Sequence, residues 1–389
     1  MQESLPFLDV TASGFSTRSD AVLRARSAAW CARTPFGLAV LRHAQAGRIL
    51  RDRRFRQGSH DWPRKVGLEG AFAEFWMRSI ISMEGEPHKL QRRAAQAALA
   101  EPYVLSLVPE FEAIARDLIV DWPDRFDFID AFSEPFAGHA IARLLGLPPE
   151  DAAQLARDAS TLGLAMGVDA KHHESAVNAA TDRLIALADE LIDHGTRQTF
   201  VPRLVGAARD LGITDRQILR DLIVISIFGG VDTTRAQLAF AVALFIDAPH
   251  HWARLRREPQ GVSNALDEII RQRPTTTWAT RQAVEAVDID GVKIAPGTTL
   301  HVMVHATGLD PATGGAPDFD PFKRRKVHFG FGGGAHHCLG QFVARTDMAC
   351  ALRVLLANVT RFEWAGTPDY LPDSGNTSPR RLPVTAMRA

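Results

Sequence analysis

One cysteine in this sequence has the surroundings of a reactive group. Cys338 follows a glycine-rich stretch and precedes an apolar periodicity that predicts an amphipathic helix. The sulfur is therefore expected at a helix N-terminus, where free backbone N–H groups and the helix dipole favour a thiolate. Glycines at 332, 333, 334 and 340 let the backbone turn tightly and approach a flat ligand closely. The pattern predicts a sulfur that faces a bound group.

Cys338 has two alternative interpretations, a buried core residue and a zinc ligand. A lone cysteine is most often a small buried hydrophobic residue, and this is our interpretation of Cys31 and Cys350. Zinc is the second alternative, with ligands drawn from His328, His336, His337 and Cys338. Sequence neighbours rarely converge on one metal, and no C-x-x-C or H-x-x-x-H partner is nearby, so zinc is not favoured.

A second group of candidate functional residues interrupts a segment that is otherwise predicted to be a long apolar helix. Residues 228–234 read Phe-Gly-Gly-Val-Asp-Thr-Thr. A glycine pair lowers helix stability and favours a kink or a widened turn, and a threonine hydroxyl can divert a backbone hydrogen bond. Asp232 and Thr233 would then border a groove with room for a diatomic ligand and a water. The alternative is a solvated Asp-Thr-Thr turn within a core helix.

Several charged residues have spacings that matter only in combination. Glu268 and Arg271 lie three residues apart on one helix face, and His88 and Arg92 lie four apart on another. An isolated pair of this kind is usually an exposed ion pair that contributes little to stability. The two pairs would indicate a function only if the folded chain places them at one site.

The segment Phe331-Gly332-x-Gly334-x-His336-x-Cys338-x-Gly340 resembles the haem-binding loop of the cytochrome P450 superfamily at every fixed position. The resemblance implies a haem b whose axial ligand is the Cys338 thiolate, which pushes electron density onto the iron. It further implies that Phe331, His336 and Gly340 contact the cofactor.

The same resemblance implies roles for the candidate residues on the predicted helices. Thr233 is expected to hydrogen-bond dioxygen or a relay water, and Asp232 to deliver protons from solvent. Glu268 and Arg271 are expected to form a buried structural ion pair on the proximal side of the haem. A third arginine usually completes that pair, and either Arg324 or Arg325 could do so here. The usual Asn-Arg-Asp is absent, because residues 307–310 read Thr-Gly-Leu-Asp.

Two further sets of residues follow from the resemblance, which covers roughly residues 80 to 345. The first set supplies hydrogen bonds and charge to the haem propionates. Its members are His88, Arg92, Arg281 and His336. The second set is expected to line a hydrophobic substrate pocket. Its members are Phe72, Phe75, Trp76, Ile225, Phe228, Gly229 and Trp278.

The elements that must position these residues are mainly helical. Periodicity predicts a helix over 180–195, and a capping-box spacing of Thr214 and Gln217 predicts the start of a long helix. Another helix must end before Pro274, and residues 286–306 alternate like short strands. No repeat or linker divides the chain. We therefore expect one P450 domain over residues 1–389, mainly α with a small β region, with haem between a long distal helix and the helix after the cysteine loop.

Composition excludes several classes of protein. Lys plus Arg and Asp plus Glu both total 45, so no overall field favours nucleic acid or a membrane surface. Three cysteines without a disulfide spacing indicate a reducing compartment, and the N-terminus has no secretory signal pattern. The most apolar stretch contains Arg220, Asp221 and Asp232. A cytoplasmic protein, monomeric as is usual in the family, is expected.

The implied function is a bacterial-type monooxygenase of secondary metabolism that acts on a small hydrophobic substrate with O2. Oxidative coupling, desaturation, rearrangement, peroxide-driven oxidation and a non-catalytic haem sensor are the alternatives. No Gly-x-Gly-x-x-Gly follows a strand, so the electrons are expected from a separate partner, which the resemblance implies to be a ferredoxin and ferredoxin reductase or an equivalent electron donor. A basic docking surface for an acidic partner is expected from the residues Lys89, Arg92, Arg93, Lys323, Arg324, Arg325 and Lys326. Alternatively, these residues are simply a charged segment exposed to solvent.

Overall fold

The computed structural model describes residues 5–12, 14–195, 198–373 and 375–389. The described residues form sixteen α-helices, joined by short 3-10 and π turns. These are α1 Asp20–Ala28, α2 His43–Arg51, α3 Trp62–Val66, α4 Ala71–Arg78, α5 Gly85–Ala98, α6 Glu101–Ser106, α7 Val108–Leu118, α8 Glu134–Leu145, α9 Ala152–Gly163, α10 Glu174–His194, α11 Phe200–Asp210, α12 Arg216–Asp247, α13 Pro249–Arg257, α14 Val262–Gln272, α15 Val304–Gly308 and α16 Gln341–Asn358.

Twelve strands accompany the helices in the described part of the chain. These are β1 Cys31–Thr34, β2 Gly37–Val40, β3 Phe55–Gln57, β4 Arg125–Asp127, β5 Trp278–Ala283, β6 Val287–Ile289, β7 Val292–Ile294, β8 Thr299–Met303, β9 Val359–Trp364, β10 Asp369–Tyr370, β11 Pro379–Arg381 and β12 Pro383–Arg388. The predicted strands in 286–306 are confirmed as β6, β7 and β8. The mainly α architecture with small sheets is likewise confirmed.

The long helix α12 runs through the centre of the molecule. It packs against α8, α9, α10 and α16, which explains why it is apolar on nearly every side. The predicted Thr214–Gln217 capping box is wrong. Asp215 is the N-cap, and its carboxylate accepts a hydrogen bond from the Gln217 amide. An aspartate at this position satisfies a free helix amide, as the threonine would have done. The helix continues unbroken past Gly229 and Gly230.

The largest sheet has the strand order β1-β2-β8-β5-β3 and lies beside the helical body. Strands β5 and β8 are antiparallel, with Thr280 opposite His301 and Arg281 opposite Leu300. Because side chains alternate along a strand, Thr280 and His301 share one face of the sheet, whereas Arg281 lies on the other. The polar residues Thr280 and His301 are therefore separated from Arg281 by the sheet.

The remaining predictions about elements agree with the structure. Helix α10 contains the predicted segment from residue 180 to His194, where it ends, with Gly195 as its C-cap, and α14 ends two residues before Pro274. Cys31 and Cys350 are fully buried, as expected for core residues. In the described part of the chain, no helix combines the length and apolar character that a membrane crossing needs.

Candidate functional site

The cysteine loop is a tight backbone structure held by its own hydrogen bonds. The Cys338 amide donates to the Phe331 carbonyl over 2.8 Å, and the Gly332 amide donates to Phe329 over 2.8 Å. Gly334 has φ +68°, and a Cβ there would lie 2.0 Å from the Leu50 carbonyl oxygen. Only glycine fits this position. Helix α16 begins at Gln341, so Cys338 precedes a helix N-terminus as predicted.

The accessible surface of Cys338 faces an internal cavity, because protein surrounds the sulfur on its other sides. Burial raises the pKa of the thiol above its usual value. Backbone N–H groups of Gly340 and Gln341 and the charge of Arg92 act in the opposite direction. The expected thiolate is thus not favoured by the protein alone, and a coordinated cation would provide the missing stabilisation.

The rejected zinc arrangement has no support in the geometry. The His328 imidazole is 3.3 Å from an Asp267 carboxylate oxygen, and the His337 imidazole contacts Gln341. Among the described residues, ligand atoms converge only at Glu84, His88 and His336, within 4.8 Å of one another. Cys338 is not a member of that group.

A cavity of about 400 Å³ separates Cys338 from α12. Thr233 and Gly229 line it from the helix, and the Thr233 hydroxyl donates to the Gly229 carbonyl over 2.7 Å. This bond is the predicted diversion of a helix carbonyl. Helix α12 continues through these residues without a break, so the predicted kink or widened turn does not end the helix. A hydroxyl and a glycine surface therefore face the sulfur across the cavity.

Asp232 occupies a different position from its neighbour Thr233. Its carboxylate is buried outside the cavity lining, 3.2 Å from an Arg235 nitrogen. The Asn376 side chain donates to its second oxygen over 3.0 Å, and Asn376 does line the cavity. Any proton from Asp232 to the cavity would have to pass this amide or a water beside it. The proton-delivery role of Asp232 remains a prediction.

The four predicted propionate ligands lie at one end of the cavity. The rings of His88 and His336 stack with centroids 4.2 Å apart, and the His336 Nε2 is 3.0 Å from a Glu84 oxygen. Burial raises the pKa of Glu84, but hydrogen bonds from His336 and the Gln57 amide outweigh it and lower the value to about 2. Burial, with the charges of His336 and Arg92, lowers the pKa of His88 to about 4.

The two arginines of this group are cations without an anion. Burial lowers the pKa of Arg92 and lowers that of Arg281 to about 10. They donate to backbone carbonyls of His337 and Gly333, and neither has a carboxylate within 4 Å among the described residues. The His88 Nε2 is buried and has no hydrogen-bond partner there. Two unpaired cations and a free imidazole nitrogen fit the two carboxylates of a haem.

The ion pair Glu268–Arg271 is buried and bidentate, with both N–O distances 2.6 Å. The choice between the two arginines is clear in the structure. The Arg325 Nε lies 3.2 Å from Glu268, and its side chain is 5% exposed, whereas Arg324 is exposed to solvent. Arg325 also pairs with Asp318 at 3.0 Å. It is therefore Arg325 that joins the Glu268–Arg271 network.

The predicted pocket residues divide into two groups. Trp76, Ile225, Phe228, Gly229 and Trp278 line the cavity. Phe72 and Phe75 do not line it, so this part of the prediction is corrected. Phe72 stacks behind Trp76 with ring centroids 5.6 Å apart, and Phe75 is fully buried in the core. Phe72 lies one turn before Trp76 on the same face of α4, behind the Trp76 ring, whereas Phe75 lies on a different face.

Several residues that line the cavity were not predicted. Among them are Trp62, Lys65, His301, Asp347 and Asn376. Glu84 was also missed, although its spacing of four residues from His88 could have indicated a shared helix face. The others come from segments whose local sequence carries no such signal.

Asp347 should make the stability of the protein depend on pH. This carboxyl on α16 is fully buried, and burial raises its pKa well above the ordinary value, against the opposing hydrogen bond from the Met348 amide. A raised folded pKa means that the carboxyl holds its proton more strongly in the folded protein than in the unfolded chain. Stability is then greatest below the unfolded pKa of about 4 and falls as pH rises.

Asp347→Asn should therefore raise the free energy of unfolding at pH 8, because the substitution removes the cost of burying a carboxyl that ionises on unfolding. The gain should vanish toward pH 4. Urea unfolding of the haem-loaded protein across this pH range measures it, and Asp117→Asn on an exposed helix position is the matched control. A pH-independent difference would show that Asp347 is ionised in the fold.

Known proteins resemble the chain along nearly its whole length. The sequence profile of the family described as Cytochrome P450 matches residues 155–377. Luteothin monooxygenase of Streptomyces thioluteus is 32% identical and is aligned over 98% of this chain and 96% of its own. Nocardicin C N-oxygenase of Nocardia uniformis subsp. tsuyamanensis is 30% identical over 94% of each.

A solved structure shows the same fold. P450BioI, crystallised with hexadec-9Z-enoic acid ligated acyl carrier protein, superposes with a TM-score of 0.86 at 22% identity, over 94% of this chain and 98% of that one. The loop around Cys338, the cavity beneath α12 and the unpaired cations agree with these matches. The chain belongs to the cytochrome P450 family and is a haem-thiolate monooxygenase.

Proposed function

We propose that this P450 inserts one oxygen atom from O2 into a small, largely apolar organic substrate, using two electrons from a separate partner. The observation that carries the proposal is one cavity lined by Cys338 from the cysteine loop, by Thr233 from α12 and by aromatic side chains. Haem bound there supplies dioxygen activation and oxygen transfer. The protein supplies the axial ligand, the orientation of the substrate and the protons.

In this proposal Cys338 is the axial ligand, and the loop residues Phe331 and Gly340 contact the cofactor. Both line the cavity beside the sulfur. His88, Arg92, Arg281 and His336 hold the propionates, since this group contains two arginines without a paired carboxylate and the free Nε2 of His88. The Glu268 network lies outside the cavity and has a structural role. All 389 residues are proposed to form one domain.

Thr233 is proposed to hold and move the proton closest to the reacting atoms. Its hydroxyl donates to the Gly229 carbonyl, so its oxygen lone pairs are free to accept from a water in the cavity. Asp232 is proposed to renew that proton through a water held beside Asn376, whose amide orients the carboxylate. A threonine next to a buried acid provides this path without opening the cavity.

Electrons are proposed to come from a ferredoxin and its reductase, which bind a basic docking surface made of Lys89, Arg93, Lys323, Arg324 and Lys326. All five side chains are exposed. Arg92, adjacent to this surface, donates to the His337 carbonyl and so ties α5 to the cysteine loop. Arg92 and Arg325 themselves are turned inward, which corrects the expected composition of the surface.

Electron transfer from an acidic ferredoxin should slow at least about fivefold when ionic strength rises from low to about 0.5 M, because screening weakens steering by exposed charges. Lys326→Gln should slow it at low salt, whereas Lys171→Gln, an exposed lysine of the chain paired with Glu174, should not. Stopped-flow reduction of the haem under carbon monoxide measures the rate. A rate independent of salt would exclude the basic docking surface.

Turnover under 18O2 tests the reaction class. One 18O atom per product molecule would support oxygen insertion, whereas a product without label would indicate coupling, desaturation or rearrangement. Failure to consume reductant with any donor would favour a haem sensor. The enzyme is proposed to act as a monomer in the cytoplasm, in line with its three free cysteines.

A further inference from the structure

The substrate cavity has a polar corner that oxygen insertion does not require. Lys65, from α3, and His301, from β8, line the same cavity as Cys338. The Lys65 Nζ donates to the Thr299 hydroxyl over 2.7 Å, and the His301 Nδ1 lies 3.3 Å from the Thr280 hydroxyl. These contacts hold both side chains in place without neutralising the lysine.

Lys65 is a cation without a carboxylate partner. In the described part of the chain no carboxylate oxygen lies within 4 Å of its Nζ, and the nearby Asp61 is paired with Arg64 at 3.1 Å. The Lys65 side chain is half-buried, and this burial lowers its pKa. An anionic partner would offset the cost of removing the ammonium group from water.

His301 adds an independent observation. Its side chain is completely buried, with ring centroids 5.1 Å from Trp278 and 6.4 Å from Phe36. Burial and the charge of Lys65 lower its pKa to about 3, so the ring is neutral. Its Nε2 has no hydrogen-bond partner among the described residues. A buried polar atom without a partner is costly and needs an explanation, which a bound ligand provides.

This corner is separate from the residues proposed to hold the propionates. His301 lies opposite Thr280 in the β5–β8 pairing, so both side chains are on one face of the sheet. Arg281, the next residue on β5, is on the other face, where it donates to the Gly333 carbonyl of the cysteine loop. Lys65 and His301 therefore remain available when haem is bound.

The chemistry of the corner identifies the group that it would take. An ammonium group and a neutral imidazole, whose Nε2 can donate when Nδ1 accepts from Thr280, are both donors. The adjoining walls are aromatic, with Trp62, Trp278 and Trp76 lining the cavity. Two donors next to an apolar space match a molecule with an acidic end and an apolar body.

We propose that Lys65 and His301 form a carboxylate-binding subsite, so that the substrate is an amphipathic organic acid whose apolar part extends toward Cys338. This inference rests on the proposed oxygenation of a cavity-bound substrate and names the class of that substrate. The subsite fixes one end of the molecule, and the distance from that end selects the carbon that is oxidised.

The test compares acids with their uncharged counterparts on the haem-loaded enzyme. A series of ω-phenylalkanoates of increasing chain length and the matching primary amides are the probes, and calorimetry together with the Soret shift gives Kd. The best acid should bind about tenfold more tightly than its amide. K65M should lose this preference and K65R should keep most of it. K171M, at an exposed lysine outside the cavity, should leave it unchanged.

Equal affinity for acids and amides, a preference that survives in K65M, or binding of neither class at about millimolar concentration would each overturn the subsite. H301F adds an independent check, because it preserves the packed ring and removes both nitrogens. It should weaken acid binding several-fold while amide binding changes little. Labelled-oxygen turnover reports on the proposed function separately, so incorporation without an acid preference would reject this inference alone.

Discussion

Replacing Cys338 with serine is expected to abolish the strongly red-shifted Soret band of the reduced carbon monoxide complex. Turnover should fall at least about a thousandfold, because a serine hydroxyl does not supply the electron density that a thiolate gives to iron. Dithionite reduction under carbon monoxide gives the spectrum, and reductant-dependent product formation gives the rate. Since serine is close in shape to cysteine, the loop and its glycines should remain folded.

A matched control is available within the same chain. Cys350→Ala removes a buried thiol on α16, the helix that follows the loop, and Cys350 does not line the cavity. This variant should keep the red-shifted band and lose only about 1 kcal/mol of stability. Haem bound to the parent protein without the shifted band would point to histidine or a protonated thiol as the ligand. That result would remove the basis of the monooxygenase mechanism.

The cysteine loop could be predicted because all of its determinants are local. Gly332 and Gly334 have positive φ, and the Cys338 amide returns to a carbonyl seven residues earlier. A short segment whose turns need glycine at fixed positions shows its conformation in its own sequence. Residues 228–234 were predictable for the same reason, since the Thr233 hydroxyl bonds a carbonyl one helical turn away.

The pocket wall shows where local signals become insufficient. Phe72, Phe75 and Trp76 all lie on α4, and their types equally favour a pocket or a core. Phe75 differs from Trp76 in the face of the helix that it occupies, and Phe72 differs in lying one turn further from the cavity, so the outcome depends on how α4 is placed by its tertiary contacts. Trp76 is fixed by the hydrogen bond from its indole N–H to the Ser59 carbonyl, a contact that periodicity does not reveal.

The polar residues of the cavity depend on contacts between distant segments. Lys65 and His301 are more than two hundred positions apart, and Asn376 reaches Asp232 from another segment near the C-terminus. None of these residues belongs to a motif. A lysine or asparagine in a loop or short helix is most often a surface residue, so only the packed structure identifies these as cavity residues.

Arg325→Met is expected to destabilise the protein by about 3 kcal/mol, whereas Arg324→Met should change stability by less than about 0.5 kcal/mol. The two arginines are adjacent and chemically identical, but only Arg325 is buried. Its loss removes the ion pairs with Glu268 and Asp318 and the bonds to the carbonyls of Gly314 and Asp318. Urea unfolding of both haem-loaded variants measures the difference.

Comparing Arg325→Met with Arg324→Met also tests whether the ion-pair network of Glu268, Arg271 and Arg325 supports haem binding. Glu268 keeps its bidentate pair with Arg271 in Arg325→Met, and Arg271 still donates to the Gly308 and Ala316 carbonyls. If Arg325 chiefly orders the segment before the cysteine loop, the variant should lose haem at lower urea than it loses helix, as absorbance and circular dichroism would show. Equal effects of the two substitutions would mean that the buried ion pair at position 325 contributes nothing, and that packing of α14 against α16 alone supports the loop.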